Sequence, residues 1–66
     1  MDVVKFGVNL ARLRMAKGMS AYELSSQLGK APSYIHKVES GKVNIGIKMI
    51  FEVCDCLDIQ PKKLFE

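Results

Sequence analysis

The sequence predicts an all-α fold of five short helices in a single domain spanning residues 1–66. Three observations predict it. Apolar residues recur at intervals of three and four through residues 3–17 and 46–58, which is a helical period. Glycines stand where those periods break, at 18, 29 and 41. The segments between the periodic stretches are only about two to five residues long, as expected of helices packed directly on one another.

Composition sets the bounds. An apolar content of 48% belongs to a globular chain rather than a disordered one. No apolar run approaches the roughly 18 residues of a membrane helix. The N-terminus lacks the order of charged segment, apolar stretch and small-residue cleavage site, so no signal peptide is expected. Strand alternation is too weak for a sheet protein.

The first helix is expected over Val3–Lys17, with Phe6, Leu10 and Leu13 on its apolar face. Lys17 followed by Gly18 is a cation in the last turn and a glycine just past the end. Met19 is expected to pack back over that end. The second helix opens on Ser20-Ala21-Tyr22-Glu23, the spacing of a capping box. Leu24 and Leu28 form its inner face, and Gly29 ends it.

The third helix is expected over Pro32–Ser40. Pro32 suits a first helical position, where a missing N–H costs nothing, and Gly41 suits the residue past the end. Ala31 would stand at the N-cap, where a hydroxyl or carboxylate is preferred. At about 100° per residue, Ile35 and Val38 point one way and Ser33, His36, Lys37 and Ser40 point the other. None of these four is acidic, and all donate hydrogen bonds.

The fourth helix follows the linker Lys42-Val43-Asn44, with Gly46 as N-cap and Asn44 as a competing start. Ile47, Ile50, Cys54 and Leu57 read as its core stripe. Met49, Val53 and Cys56, with Phe51 at their flank, read as a second apolar stripe. A helix apolar on two sides in so small a chain predicts a partner subunit. The expected homodimer surface is Met49, Phe51, Val53 and Cys56, joined by Phe65. The fifth helix, Pro61–Phe65, begins with Pro and is anchored by Leu64 and Phe65.

Charge is uneven along the chain. Residues 1–42 hold seven Lys and Arg against three acids, whereas residues 43–66 hold three against four. The basic part contains the polar-striped third helix, as a polyanion-binding face requires. Segments two and three, joined by Gly29-Lys30-Ala31, form a helix-turn-helix unit. Ile35 and Val38 would bury against Leu24 and Leu28, leaving a polar face sized for the major groove of B-DNA.

The chain resembles the phage repressor and Cro-type helix-turn-helix family of transcriptional regulators, with a lambda repressor-like DNA-binding domain. The likeness runs from Phe6 to Phe65 and is carried by ordered pieces. They are Leu13-Arg14-Met15-Ala16-Lys17-Gly18-Met19-Ser20, Glu23-Leu24, Leu28-Gly29, Tyr34-Ile35, Val38-Glu39-Ser40-Gly41-Lys42, and Leu57 through Phe65. The resemblance implies that Pro32–Ser40 is the recognition helix. It implies base contacts from Ser33 and Lys37, with His36 on the same stripe. It implies phosphate contacts from Ser20, Ser40 and Lys42; Lys30, which with Lys42 flanks the helix, and Tyr34, within its first turn, are expected to join them. It also implies a structural ion pair between Arg14 and Glu39, which the residues alone would leave as exposed charges. Two departures stand out. Ala21 replaces the Gln common after the serine that opens helix two, and the recognition helix has no Arg, Gln or Asn for bidentate base reading.

Other chemistries find little support. The lone His36 has no second His, Asp or Cys at ligand spacing, so no metal or other cofactor is expected. Cys54 and Cys56 lie on different sides of one helix and cannot pair; such cysteines agree with a reducing cytoplasm. Neither a nucleophile–base pair nor a phosphate-cradling glycine loop is present, so the chain is not read as an enzyme and no small-molecule ligand is expected. The expectation is a cytoplasmic, sequence-specific DNA-binding regulator, a repressor acting as a homodimer and free of membrane. The alternative is a protein-interaction module on the same fold.

Overall fold

A computed structural model describes residues 2–66; Met1, the first residue of the expected domain, lies outside them. Four α-helices and one 3-10 turn make up the structure: α1 (Val3–Ala16), α2 (Ala21–Gln27), α3 (Tyr34–Glu39), α4 (Ile47–Leu57) and the turn Pro61–Phe65. No strand occurs among the described residues. The expected fifth helix is thus a single tight turn. It holds only five residues after Gln60, too few to establish the α-helical hydrogen-bond ladder.

Local chemistry sets the helix ends. Asp2 caps α1, its carboxylate accepting from the N–H groups of Val4 and Lys5 at 3.0 and 3.1 Å. Ser20 and Glu23 form the full capping box on α2: Ser20 Oγ accepts from Glu23 N–H at 3.0 Å, and Glu23 Oε1 accepts from Ser20 N–H at 2.9 Å. α4 starts at Gly46, as expected. Its end is unlike the others, because Asp58 takes the left-handed conformation (φ 54°) that Gly18, Gly29 and Gly41 supply elsewhere. Asp is one of the few side chains that tolerate this region.

The core comprises Phe6, Leu10, Leu24, Ile35, Val38, Val53, Cys54, Leu57 and Leu64. α3 packs on α2 and α1, and the C-terminal turn packs on α1 and α4. The buried polar residues Asn9 and Ser25 are both hydrogen-bonded. Asn9 Nδ2 donates to the Leu64 carbonyl at 3.0 Å and so ties the C-terminal turn to α1. Phe65 reaches Phe6 with ring centroids 5.4 Å apart, but remains half exposed. Leu64 is therefore the C-terminal anchor.

Ile50, Cys54 and Leu57 of α4 face the core as expected, but the edges of that face are shifted. Val53, placed by the sequence on the dimer surface, is 0% exposed and lies in the core. Ile47, placed in the core, is 73% exposed. The inward stripe is Ile50, Val53, Cys54 and Leu57. Residues 49 and 51 are separated by about 200° around a helix. Phe51, 52% exposed, therefore sits with Ile47 on one flank, whereas half-buried Met49 and Cys56 lie on the opposite flank. The expected dimer residues do not form one surface.

Candidate nucleic-acid interface

The recognition element starts later than the sequence predicts. Tyr34 N–H donates to the Ala31 carbonyl at 3.0 Å, and Ser33 has φ −94° and ψ 3°. These are the marks of a type I turn over Ala31–Tyr34, with Pro32 at the second position, where its fixed φ belongs. Pro32 therefore shapes the turn, and α3 begins at Tyr34. Ser33 stands at the N-cap without a side-chain cap bond.

The missing cap is replaced from the neighbouring helix. Ile35 N–H donates to Ser25 Oγ at 3.0 Å, and the Ser25 hydroxyl donates to the Ala21 carbonyl at 2.8 Å. At the other end, Gly41 N–H reaches the Val38 carbonyl and Lys42 N–H the Lys37 carbonyl, at 3.1 and 2.9 Å. That pair of bonds is a Schellman closure, and it requires the positive φ of Gly41, 78°.

Arg14 and Glu39 hold α3 from behind. Arg14 Nε and one terminal nitrogen donate to the two Glu39 carboxylate oxygens at 2.7 and 3.1 Å, and the other terminal nitrogen donates to the Met19 carbonyl at 2.8 Å. The two side chains are 13% and 9% exposed. The hydrogen bond to Glu39 raises the Arg14 pKa above an already high value, and burial only partly opposes it. The guanidinium is therefore permanently charged.

With Ile35 and Val38 buried, the opposite side of the element is open. Ser33, His36, Lys37 and Ser40 are all exposed. Ser40 Oγ donates back to the Lys37 carbonyl at 3.1 Å. Lys30 and Lys42 are exposed at the two ends of the element. Lys30 lies over the Tyr34 ring at 5.4 Å, a cation–π contact. Tyr34 is half-buried, and desolvation first and the Glu52 charge second raise its pKa, so it stays a neutral phenol. Ser20 is exposed at the start of α2, where its oxygen already serves the capping box. The structure thus gathers the expected base-reading side chains on one face, with the two lysines beside them.

Three residues that the sequence does not single out hold the fold together: Ser25, which bonds the start of α3, Gly7, whose missing Cβ leaves room for the Glu39 backbone, and Asn9, which ties the C-terminal turn to α1. Asn9 lies three residues after Phe6 and four before Leu13, and Ser25 lies four after Ala21 and three before Leu28. That spacing was the available signal, since it puts both on inward faces. Gly7 left no comparable signal. Cys54 and Cys56 are free, and burial above all raises both thiol pKa values, so neither is an activated thiolate. Among the described residues no cluster of His, Cys, Asp or Glu could hold a metal ion, and no helix is long and apolar enough to cross a membrane.

A short helix seated across a second one, with its outer face polar and free of acids, defines a helix-turn-helix DNA-binding domain. Residues 10–64 match the family model described as helix-turn-helix. The chain belongs to this family, whose Cro- and phage repressor-type members are DNA-binding regulators of transcription rather than enzymes. One solved structure, the restriction-modification controller protein C.AhdI from Aeromonas hydrophila, matches with a TM-score of 0.90 and 42% identity, covering 97% of each chain. An uncharacterised HTH-type transcriptional regulator of Sinorhizobium fredii, y4dJ, is 31% identical over 65 residues, covering 97% of this chain and 84% of its own.

Proposed function

We propose that this protein represses transcription by occupying an operator as a homodimer, with one α3 in the major groove of each half-site. The observation that carries the reading is the exposed stripe Ser33, His36, Lys37 and Ser40, fixed from behind by Arg14 and Glu39. Ser33, His36 and Lys37 contact base edges, with Lys37 suited to the O6 and N7 acceptors of guanine. Ser20, Lys30, Tyr34, Ser40 and Lys42 contact phosphates and set register. Two α3 helices on one face about 34–36 Å apart would meet half-sites one helical turn apart.

The dimer surface in this reading is the flank of α4 that carries Ile47 and Phe51. Both are large apolar side chains left in solvent by the monomer, and an exposed apolar pair is what an isologous contact needs. Such a regulator works in the cytoplasm with the DNA it controls. The 42% identity to a restriction-modification controller supports trying the promoters of such a system as the first operators.

Duplex binding measured against salt tests the reading. Affinity should fall steeply as salt rises, and Lys37→Glu should abolish binding. No binding at low salt, or indifference to Lys37→Glu, would favour a protein-interaction module instead.

A further inference from the structure

We propose that Ser25 is a positioning residue for DNA reading, whose buried hydroxyl sets the pitch of α3 on α2 and so determines which base edges Ser33 and Lys37 reach. The inference rests on the DNA-binding reading above and goes beyond it, since Ser25 faces away from any nucleic acid.

The first N–H groups of a helix have no partner within it. In α3 the Tyr34 N–H takes the Ala31 carbonyl, but no side chain at its own start serves the next one. Ala31 has no acceptor side chain, and Ser33 at the N-cap makes no side-chain bond. Ile35 is nevertheless buried, so its N–H cannot turn to water. Ser25, 0% exposed, fills the need at 3.0 Å.

The direction of this bond is fixed. A hydroxyl has one proton, and that proton is committed to the Ala21 carbonyl at 2.8 Å. A lone pair of Ser25 must therefore face Ile35. The resulting relay runs from the second residue of α3, through Ser25, to the first residue of α2. Contacts among Leu24, Ile35 and Val38 hold the helices together but are non-directional. A hydrogen bond is directional, weakening steeply as its angle departs from linear. The apolar core thus fixes that α3 touches α2, Arg14 and Glu39 hold its C-terminal end, and Ser25 fixes the rotation and axial register of its N-terminal end.

The test begins with duplexes enriched by the wild-type chain from a random library. Ser25→Ala should fold, because alanine favours helix, and it should lose about tenfold in affinity for the enriched duplex, the scale of one hydrogen bond. Its affinity for random duplex should change less than about twofold, because phosphate contacts supply nonspecific binding. Ser25→Cys, with a weak acceptor at similar volume, should fall between the two and serves if the alanine variant does not fold. In the free wild-type chain, the Ile35 amide should be protected from exchange as strongly as that of Val38. Equal losses on both duplexes, no loss on either, or a freely exchanging Ile35 amide would overturn the inference while leaving the DNA reading intact. Failure of the wild-type chain to enrich any duplex would overturn both.

Discussion

Gly7 of α1 packs so closely on Glu39 of α3 that a Cβ at position 7 would lie 2.2 Å from the Glu39 carbonyl oxygen and 2.7 Å from its carbonyl carbon. The obstacle is backbone, which cannot rotate aside as a side chain can. Glycine inside a helix ordinarily costs about 1 kcal/mol relative to alanine. Here the close approach outweighs that preference, because it lets α1 lie against the C-terminal end of the recognition helix.

Gly7→Ala should therefore destabilise the fold even though it improves helix propensity. Overpacking a tight site costs typically about 1–3 kcal/mol, and the contact with an immobile carbonyl puts this site at the upper end. Urea denaturation should show a lower midpoint with an unchanged slope. A midpoint at or above that of the wild type would show that α1 and α3 separate easily, contrary to the tight geometry seen.

Arg14 and Glu39 join the same two helices by charge. Both side chains are largely withdrawn from water, so removing one partner strands the other. Glu39→Gln should cost about 2–4 kcal/mol. Arg14→Lys should cost nearly as much as Arg14→Ala, because an ammonium cannot span both carboxylate oxygens and the Met19 carbonyl together. A double-mutant cycle with Arg14→Ala and Glu39→Gln should reveal coupling above about 1 kcal/mol. Additive single-mutant effects would reduce the pair to a surface contact.

Features decided within a few residues of chain were legible in the sequence. The capping box at Ser20 and Glu23, the closure at Gly41 and the inward turn of Ile35 and Val38 all depend on local spacing. The edges of the inward face of α4 were not legible, although Ile50, Cys54 and Leu57 were. Its apolar residues surround most of the helix, so periodicity alone does not say whether Ile47 or Val53 faces inward. Packing against the rest of the core chooses Val53. The start of α3 departs from the sequence expectation for a related reason. Pro suits both a first helical turn and the second position of a type I turn, and the Ala31 carbonyl to Tyr34 bond selects the latter. Ser25 and Gly7 depend on helices distant in sequence coming into contact.

The capping box on α2 should make stability depend on pH. Hydrogen bonding to the Ser20 backbone first, and to its side chain second, lowers the Glu23 pKa from its ordinary 4.5. A depressed carboxylate contributes stability that is fully present above its unfolded value and is lost as pH falls through its lower folded value. Wild type should therefore exceed Glu23→Gln in thermal midpoint at pH 7, and the gap should close as pH falls below about 4.5. Ser20→Ala should lose about 1 kcal/mol at neutral pH. A gap between wild type and Glu23→Gln that does not change with pH would mean the carboxylate charge adds nothing.

The two flanks of α4 make the dimer reading testable. Phe51 contributes little to the monomer core, so Phe51→Glu should fold with a near-native thermal midpoint. It should nevertheless sediment as a monomer where the wild type sediments as a dimer, because a charge would be forced into an apolar contact. Ile47→Glu should act alike, since residues four apart share a helix face. Cys56→Ser, on the opposite flank, should leave the dimer intact. A monomeric half-binder makes only one major-groove contact, so Phe51→Glu should also lose most of its affinity for a two-half-site operator while keeping the weak, salt-sensitive binding of a single helix-turn-helix. Dissociation by Cys56→Ser, with Phe51→Glu still dimeric, would move the subunit contact to the Met49 and Cys56 flank.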